Sequence, residues 1–281
     1  MANVSGTVIA LAFYLVPLGV MLGAIWIAHR AHQRADRRHP LTKDLLRGPG
    51  HTLSRELEDA RGDLVAYLAA IVPVPLFLLA AWALDDRSKG RQSAFPIIDL
   101  VVIGILVIVF AYRSFFLIRK IRRLSLGHEA ERAVGQELNQ LIGHGFRVFH
   151  DIVGDTAFNV DHVVVGPTGV FAVETKGRTK PLREGKAEYK VELHGNRLIF
   201  PGWTETKPLQ QAQRNAEWLA EWLSSSTGEK VQVQPVLALP GWFIERRDRC
   251  PVLVISPTNC QATFWPASIT SSAGDNCFCR F

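Results

Sequence analysis

The chain has 281 residues, is 48% hydrophobic yet 21% charged, and carries a net charge of +6 with a pI near 9.3. Its charge is uneven: residues 1–118 hold 12 of the 32 Lys and Arg and 9 of the 26 Asp and Glu, nearly all in two interruptions between long apolar runs. Disorder, a fibrous repeat, a disulfide-stapled secreted scaffold and a purely soluble protein are thereby excluded. The basic balance suits nucleic acid or an anionic membrane face, and equally ordinary solubility combined with a positive-inside bias.

Three apolar runs open the chain, at 7–28, 64–84 and 97–118. Each reaches the roughly 20 residues that a membrane-spanning helix needs. The first is uncharged; the second holds Pro73 and Pro75; the third has Asp99 near its start and Arg113 near its end, where long side chains reach the interface. The first run lacks a basic leader and is too long for a cleavable signal. Loop 29–63 holds eight Lys and Arg, loop 85–96 three, and Arg119, Lys120, Arg122 and Arg123 follow the third run. The positive-inside rule then predicts an outside N-terminus, loop 29–63 inside, loop 85–96 outside and the remainder inside. Residues 1–118 therefore read as a multi-pass membrane region of about three transmembrane helices. Within loop 29–63, Gly48-Pro49-Gly50 breaks the chain before a capped helix start at Ser54, and no chemistry is evident there.

Residues 127–142 predict an amphipathic helix, with Ala130, Val134, Leu138 and Leu141 at helical spacing and Gly143 and Gly145 ending it. Residues 146–150 alternate like a strand. Two strands follow, about 160–165 and 170–176, around the turn Gly166-Pro167-Thr168-Gly169. With that turn as a four-residue loop, paired residues sum to 335. Val165 then faces Val170, Val163 faces Ala172 and Asp161 faces Glu174. Alternation brings Asp161, Glu174 and Lys176 to one face at the open end of the ribbon. Cross-strand Cβ atoms stand about 5 Å apart, so two carboxylates placed there repel unless a cation sits between them. A divalent metal is the simplest such cation, and a nearby lysine can position or deprotonate a water. Taken singly, Glu-x-Lys at a strand end is an ordinary solvated pair.

Further on, residues 207–224 predict a helix with Ala216, Leu219, Ala220 and Leu223 on one face, ended by Ser224–Gly228. Residues 231–239 and 252–255 read as strands. Trp203, Trp218, Trp222 and Trp242 read as packing residues and His162 as structural. The four cysteines, Cys250, Cys260, Cys277 and Cys279, lack zinc spacing. The tail 260–281 shows no clear period and reads as an altered or truncated end, or as a disordered one.

The run from Gly127 to Lys176 resembles a NERD (nuclease-related) domain, a branch of the PD-(D/E)-x-K nuclease-like superfamily. The resemblance rests on three pieces: Glu131 with Val134 and Leu138; Asp161-His162-Val163-Val164-Val165; and Gly169 through Lys176. A later segment, 208–216, resembles the family's Gln-bearing helix, and the likeness covers about residues 127–240. It implies an α/β fold, a restriction-endonuclease-like mixed sheet flanked by helices, here expected over 119–259 after the transmembrane region. It implies that Asp161 and Glu174 hold a metal, Mg²⁺ or Mn²⁺, and that Lys176 activates the attacking water. Glu131, with Glu129 as rival, would assist from the first helix, and Gln211 would touch the site or the nucleic-acid backbone, with Asn215 on the same helical face. Val160 stands where the superfamily has proline.

Nucleic acid, DNA ahead of RNA, and the lipid bilayer are the implied partners. Arg178, Lys180, Arg183, Lys186 and Lys190 are candidate phosphate contacts or a solvated charged loop. The implied function is phosphodiester hydrolysis by a membrane-anchored, metal-dependent nuclease, in a bacterial inner membrane with the domain cytoplasmic. The alternative is a catalytically inactive, membrane-tethered nucleic-acid-binding or protein-interaction module.

Overall fold

The computed structural model describes residues 46–71, 80, 82–83, 97–154, 158–259 and 263–264. The apolar run 7–28 lies outside them, as do loop 85–96, most of the tail and part of the run 64–84. The described residues fall into two units, one within 59–120 and the other made of 46–58 with 121–264.

Helix α1 spans His51–Ile71 and helix α2 spans Ile97–Asn139. α1 starts directly after Gly50, three residues before the predicted cap. α2 takes in both the apolar run 97–118 and most of the predicted helix 127–142. The intervening RKIRRLSL contains no Gly or Pro, so nothing interrupts the hydrogen-bond ladder. Among the described residues, this is the one helix long and apolar enough to cross a membrane, and its most apolar window has a mean hydropathy of 2.5 with none of it buried. In the first unit, Ile97, Val101 and Ile108 are more than half exposed. The Tyr67 and Phe110 rings meet edge to face at 5.9 Å.

The second unit is built on a five-stranded mixed sheet in the order β1-β2-β3-β9-β11. The strands are β1 Arg147–Val153, β2 Asn159–Gly166, β3 Gly169–Thr175, β9 Val233–Ala238 and β11 Leu253–Ile255. β1, β2 and β3 run antiparallel, while β3, β9 and β11 are parallel. Between β3 and β9 lie two short strands, β4 Leu182–Arg183 and β5 Lys186–Ala187. A four-stranded sheet, absent from the sequence expectations, joins β10 Phe243–Arg246, β6 Lys190–His194, β7 Arg197–Phe200 and β8 Trp203–Glu205. Helix α3 follows over Lys207–Thr227, and Gly228 closes it with its N–H on the Ser224 carbonyl.

Two apolar layers clamp the five-stranded sheet. Val134, Leu138 and Leu141 of α2 pack with Val164, Phe171, Val173 and Val236 on one face. Ala216 and Leu219 of α3 pack with Val163 and Ala172 on the other. This division follows the two-residue period of the strands. A third cluster joins the first half of α3 (Leu209, Ala212) to the four-stranded sheet (Leu193, Leu198, Phe200) and to Trp242. Trp203 stacks on Phe200 at 4.7 Å, and Phe200 meets Trp242 edge to face. Within the tail, Phe264 is fully buried against Phe171, and its carbonyl accepts from Thr168 Oγ1.

The β2–β3 register pairs His162 with Val173 and Val165 with Val170, the sum of 335 predicted from the turn. Gly166 and Gly169 are themselves paired, so the turn holds two residues where four were expected.

Candidate metal and nuclease site

Asp161 lies at the start of β2 and Glu174 near the end of β3. Each lies two residues from one that faces α3, Val163 and Ala172 respectively, so the two carboxylates share that face of the sheet. Both are buried, Asp161 at 6% and Glu174 at 1% exposure. The paired ladder stops at His162 and Val173, and beyond it Asp161 Oδ2 accepts the Thr175 backbone N–H at 2.7 Å. Glu174 is held from two sides: Lys176 Nζ donates to Oε1 at 2.5 Å and Asn215 Nδ2 to Oε2 at 2.7 Å. Each carboxylate oxygen has two lone pairs, so these bonds leave both groups able to face a cation.

Glu131 comes from α2, on the other side of the sheet, and reaches the same cavity of about 280 Å³ as Asp161, Glu174 and Lys176. Gly177 lets the chain after Lys176 come this close to α2, because a Cβ there would lie 2.8 Å from the Leu126 carbonyl oxygen and 3.0 Å from Ala130 Cβ. Glu131 Oε2 is buried and has no hydrogen-bond partner among the described residues. Glu129, the rival, is exposed and accepts from Ser125 Oγ. Gln211, on the first turns of α3, lines the cavity as well.

The carboxylates resist ionising together. Burial, then the charges of Glu174 and Asp151, push Glu131 up to about 7. Burial, Glu174 and Glu131 hold Asp161 well above the usual carboxylate range. Burial raises Glu174 too, against the opposing pull of Lys176, Arg214 and Asn215. Three carboxylates this close repel one another when ionised, and a divalent cation between them would relieve that repulsion. Among the described residues no group of three or more His, Cys, Asp or Glu is arranged to hold an ion. Magnesium, however, is ordinarily held by one or two carboxylates with substrate phosphates and water completing its shell. The donor set therefore fits a divalent metal on Asp161 and Glu174.

A second cavity, of about 530 Å³, shares Lys176, Arg178 and Gln211 with the first and adds Lys207, Thr204, Glu205 and Thr206. Arg178 forks onto Glu205 at 2.9 and 2.7 Å, and Trp203 Nε1 donates to the same carboxylate. Arg183, Lys186 and Lys190 stand exposed on β4 to β6 instead. His162 faces away from the carboxylates. It is buried, contacts His150 Nδ1 at 2.8 Å through its own Nδ1, and burial lowers it to about 3.

Residues 126–240 match the family NERD, nuclease-related domain. The match takes in Glu131, Asp161, Glu174, Lys176 and Gln211 and supports a nuclease-like function at the level of the family. Metal dependence and nucleic-acid binding are consistent with a NERD domain. No curated protein and no solved structure matches the chain. Of the residues that surround the carboxylate cavity, sequence reasoning gave no role to Asp151 or Glu56, and named Asn215 only for its helical position. Asp151 is buried with a left-handed backbone (φ 52°) and accepts from Arg47, Thr52 and Asn159 at 3.1, 2.8 and 2.6 Å. Nothing in its neighbours in sequence marks it; two of its three partners, Arg47 and Thr52, lie about a hundred residues away.

Proposed function

We propose that the protein is a membrane-anchored nuclease that hydrolyses nucleic-acid phosphodiester bonds with a divalent metal, Mg²⁺ or Mn²⁺. One observation carries this reading: two buried carboxylates, Asp161 and Glu174, on one sheet face, with Lys176 bonded to Glu174.

Asp161 and Glu174 would hold the metal, which supplies a Lewis acid and a more acidic bound water. Asn215 and the Thr175 N–H fix the two carboxylates in place, so little reorganisation accompanies binding. Lys176 holds a positive charge where negative charge develops on the phosphate, and can orient the attacking water. Glu131, whose affinity for a proton lies near neutrality, is suited to accept a proton from that water or to release one. Lys207 and Arg178, in the adjoining cavity, line a path for the backbone phosphates on either side of the scissile bond. DNA is the favoured substrate over RNA in this reading. The apolar runs and their flanking charges support a multi-pass anchor in a bacterial inner membrane, with the NERD domain cytoplasmic.

The test is cleavage of labelled DNA and RNA by the purified full chain with Mg²⁺, with Mn²⁺ and with chelator. Cleavage that needs metal and disappears in Glu174→Gln and Lys176→Ala supports the proposal. Metal-independent nucleic-acid binding without cleavage under any condition would overturn it in favour of an inactive binding module.

A further inference from the structure

The segment 46–58 precedes the matched stretch 126–240, yet it packs on it. Gly50 lies so close to α2 that a Cβ there would stand 2.7 Å from His128 Cδ2, and its φ of +75° suits glycine. Gly135 is equally close to Pro49: a Cβ on Gly135 would stand 2.6 Å from Pro49 Cβ. Asp151 fastens the segment through Arg47 and Thr52, and Leu57 is buried. This docking delivers Thr52, Leu53 and Glu56 to the wall of the carboxylate cavity. That cavity already contains the unpartnered oxygen of Glu131, which is 6% exposed.

We propose that the segment completes the metal-binding cavity, and that Glu56 is the residue it supplies, adding a fourth carboxylate that strengthens the hold on a divalent cation. The inference rests on the metal-site reading above. Glu56 is exposed at the cavity wall and acts through the field rather than as a buried ligand. Its attraction for a doubly charged ion is therefore modest and sensitive to salt. Arg123 and Arg178 line the same cavity and oppose it, so removal of Glu56 shifts the balance toward repulsion of the ion.

Calorimetric titration of the full chain with Mn²⁺ at low ionic strength tests this. Glu56→Gln should weaken binding about three- to fivefold, and the difference should shrink at high salt. Glu58→Gln, which removes an exposed carboxylate that does not line the cavity, should bind like the parent. Equal affinity in Glu56→Gln and the parent would overturn the inference, as would an equal loss in Glu58→Gln. Glu174→Gln separates the two levels: it should abolish binding, and if it binds normally the metal site itself is wrong.

Discussion

Asn215, on α3, donates a 2.7 Å hydrogen bond to Oε2 of Glu174, on β3, in a buried contact that spans 41 residues of sequence. With Lys176 on the other oxygen, the bond fixes the carboxylate plane. Removing it leaves a buried oxygen without its donor, a loss of about 1–3 kcal/mol. Asn215→Ala should therefore lower kcat about tenfold or more with a smaller change in KM, read from initial rates of DNA cleavage. An unchanged kcat would show that Glu174 is held without it.

The pH dependence of stability follows from the raised carboxylates. Glu131 goes from an ordinary 4.5 to about 7 on folding. Between those values the folded protein keeps a proton that the unfolded chain has released. Stability without metal is therefore greatest below pH 4.5 as far as this group is concerned, falls as pH rises to 7, and is level above. The loss from Glu131 alone is about 3 kcal/mol. Asp161 and Glu174 act in the same direction. Urea midpoints between pH 5 and 8 should show this fall, and Glu131→Gln should make it shallower. Saturating Mg²⁺ should reverse it, because the ion binds the ionised form.

Asp151 is a buried carboxylate with three hydrogen-bond donors. Asp151→Ala should destabilise the second unit by about 3 kcal/mol, since Arg47, Thr52 and Asn159 lose a common acceptor. Hydrogen exchange in residues 46–58 should rise with it. Protection equal to that of the parent would mean that the segment is held by its apolar contacts alone.

The hairpin was legible because its cues are local. Gly166-Pro167-Thr168-Gly169 marks the turn, and alternation sets the register that pairs His162 with Val173. From that register the shared face of Asp161 and Glu174 follows. The four-stranded sheet was not legible. Its strands run three to five residues, too short for a period to stand out, and β10 pairs in parallel with β6, more than fifty residues earlier. Phe264 sits in a tail without periodicity and is buried by a ring contact to Phe171. Asp151 holds Arg47 and Thr52 across about a hundred residues, and Glu56 reaches the cavity on the same segment; no local pattern records this.

If the apolar runs anchor the chain in a bilayer, the full chain should stay in the membrane pellet after alkaline carbonate washing. A protease added to inverted inner-membrane vesicles should reach the NERD domain, whereas one added to right-side-out vesicles should not. Release into the supernatant by carbonate would contradict the anchor and leave the nuclease reading intact.

On the proposed reading, Asp161 and Glu174 share one divalent ion. Diffraction from crystals soaked in Mn²⁺, recorded at the manganese absorption edge, tests it most directly. A single anomalous peak in contact with both carboxylates is expected, absent from crystals of Asp161→Asn. No peak at this position, or a peak retained in Asp161→Asn, would contradict it.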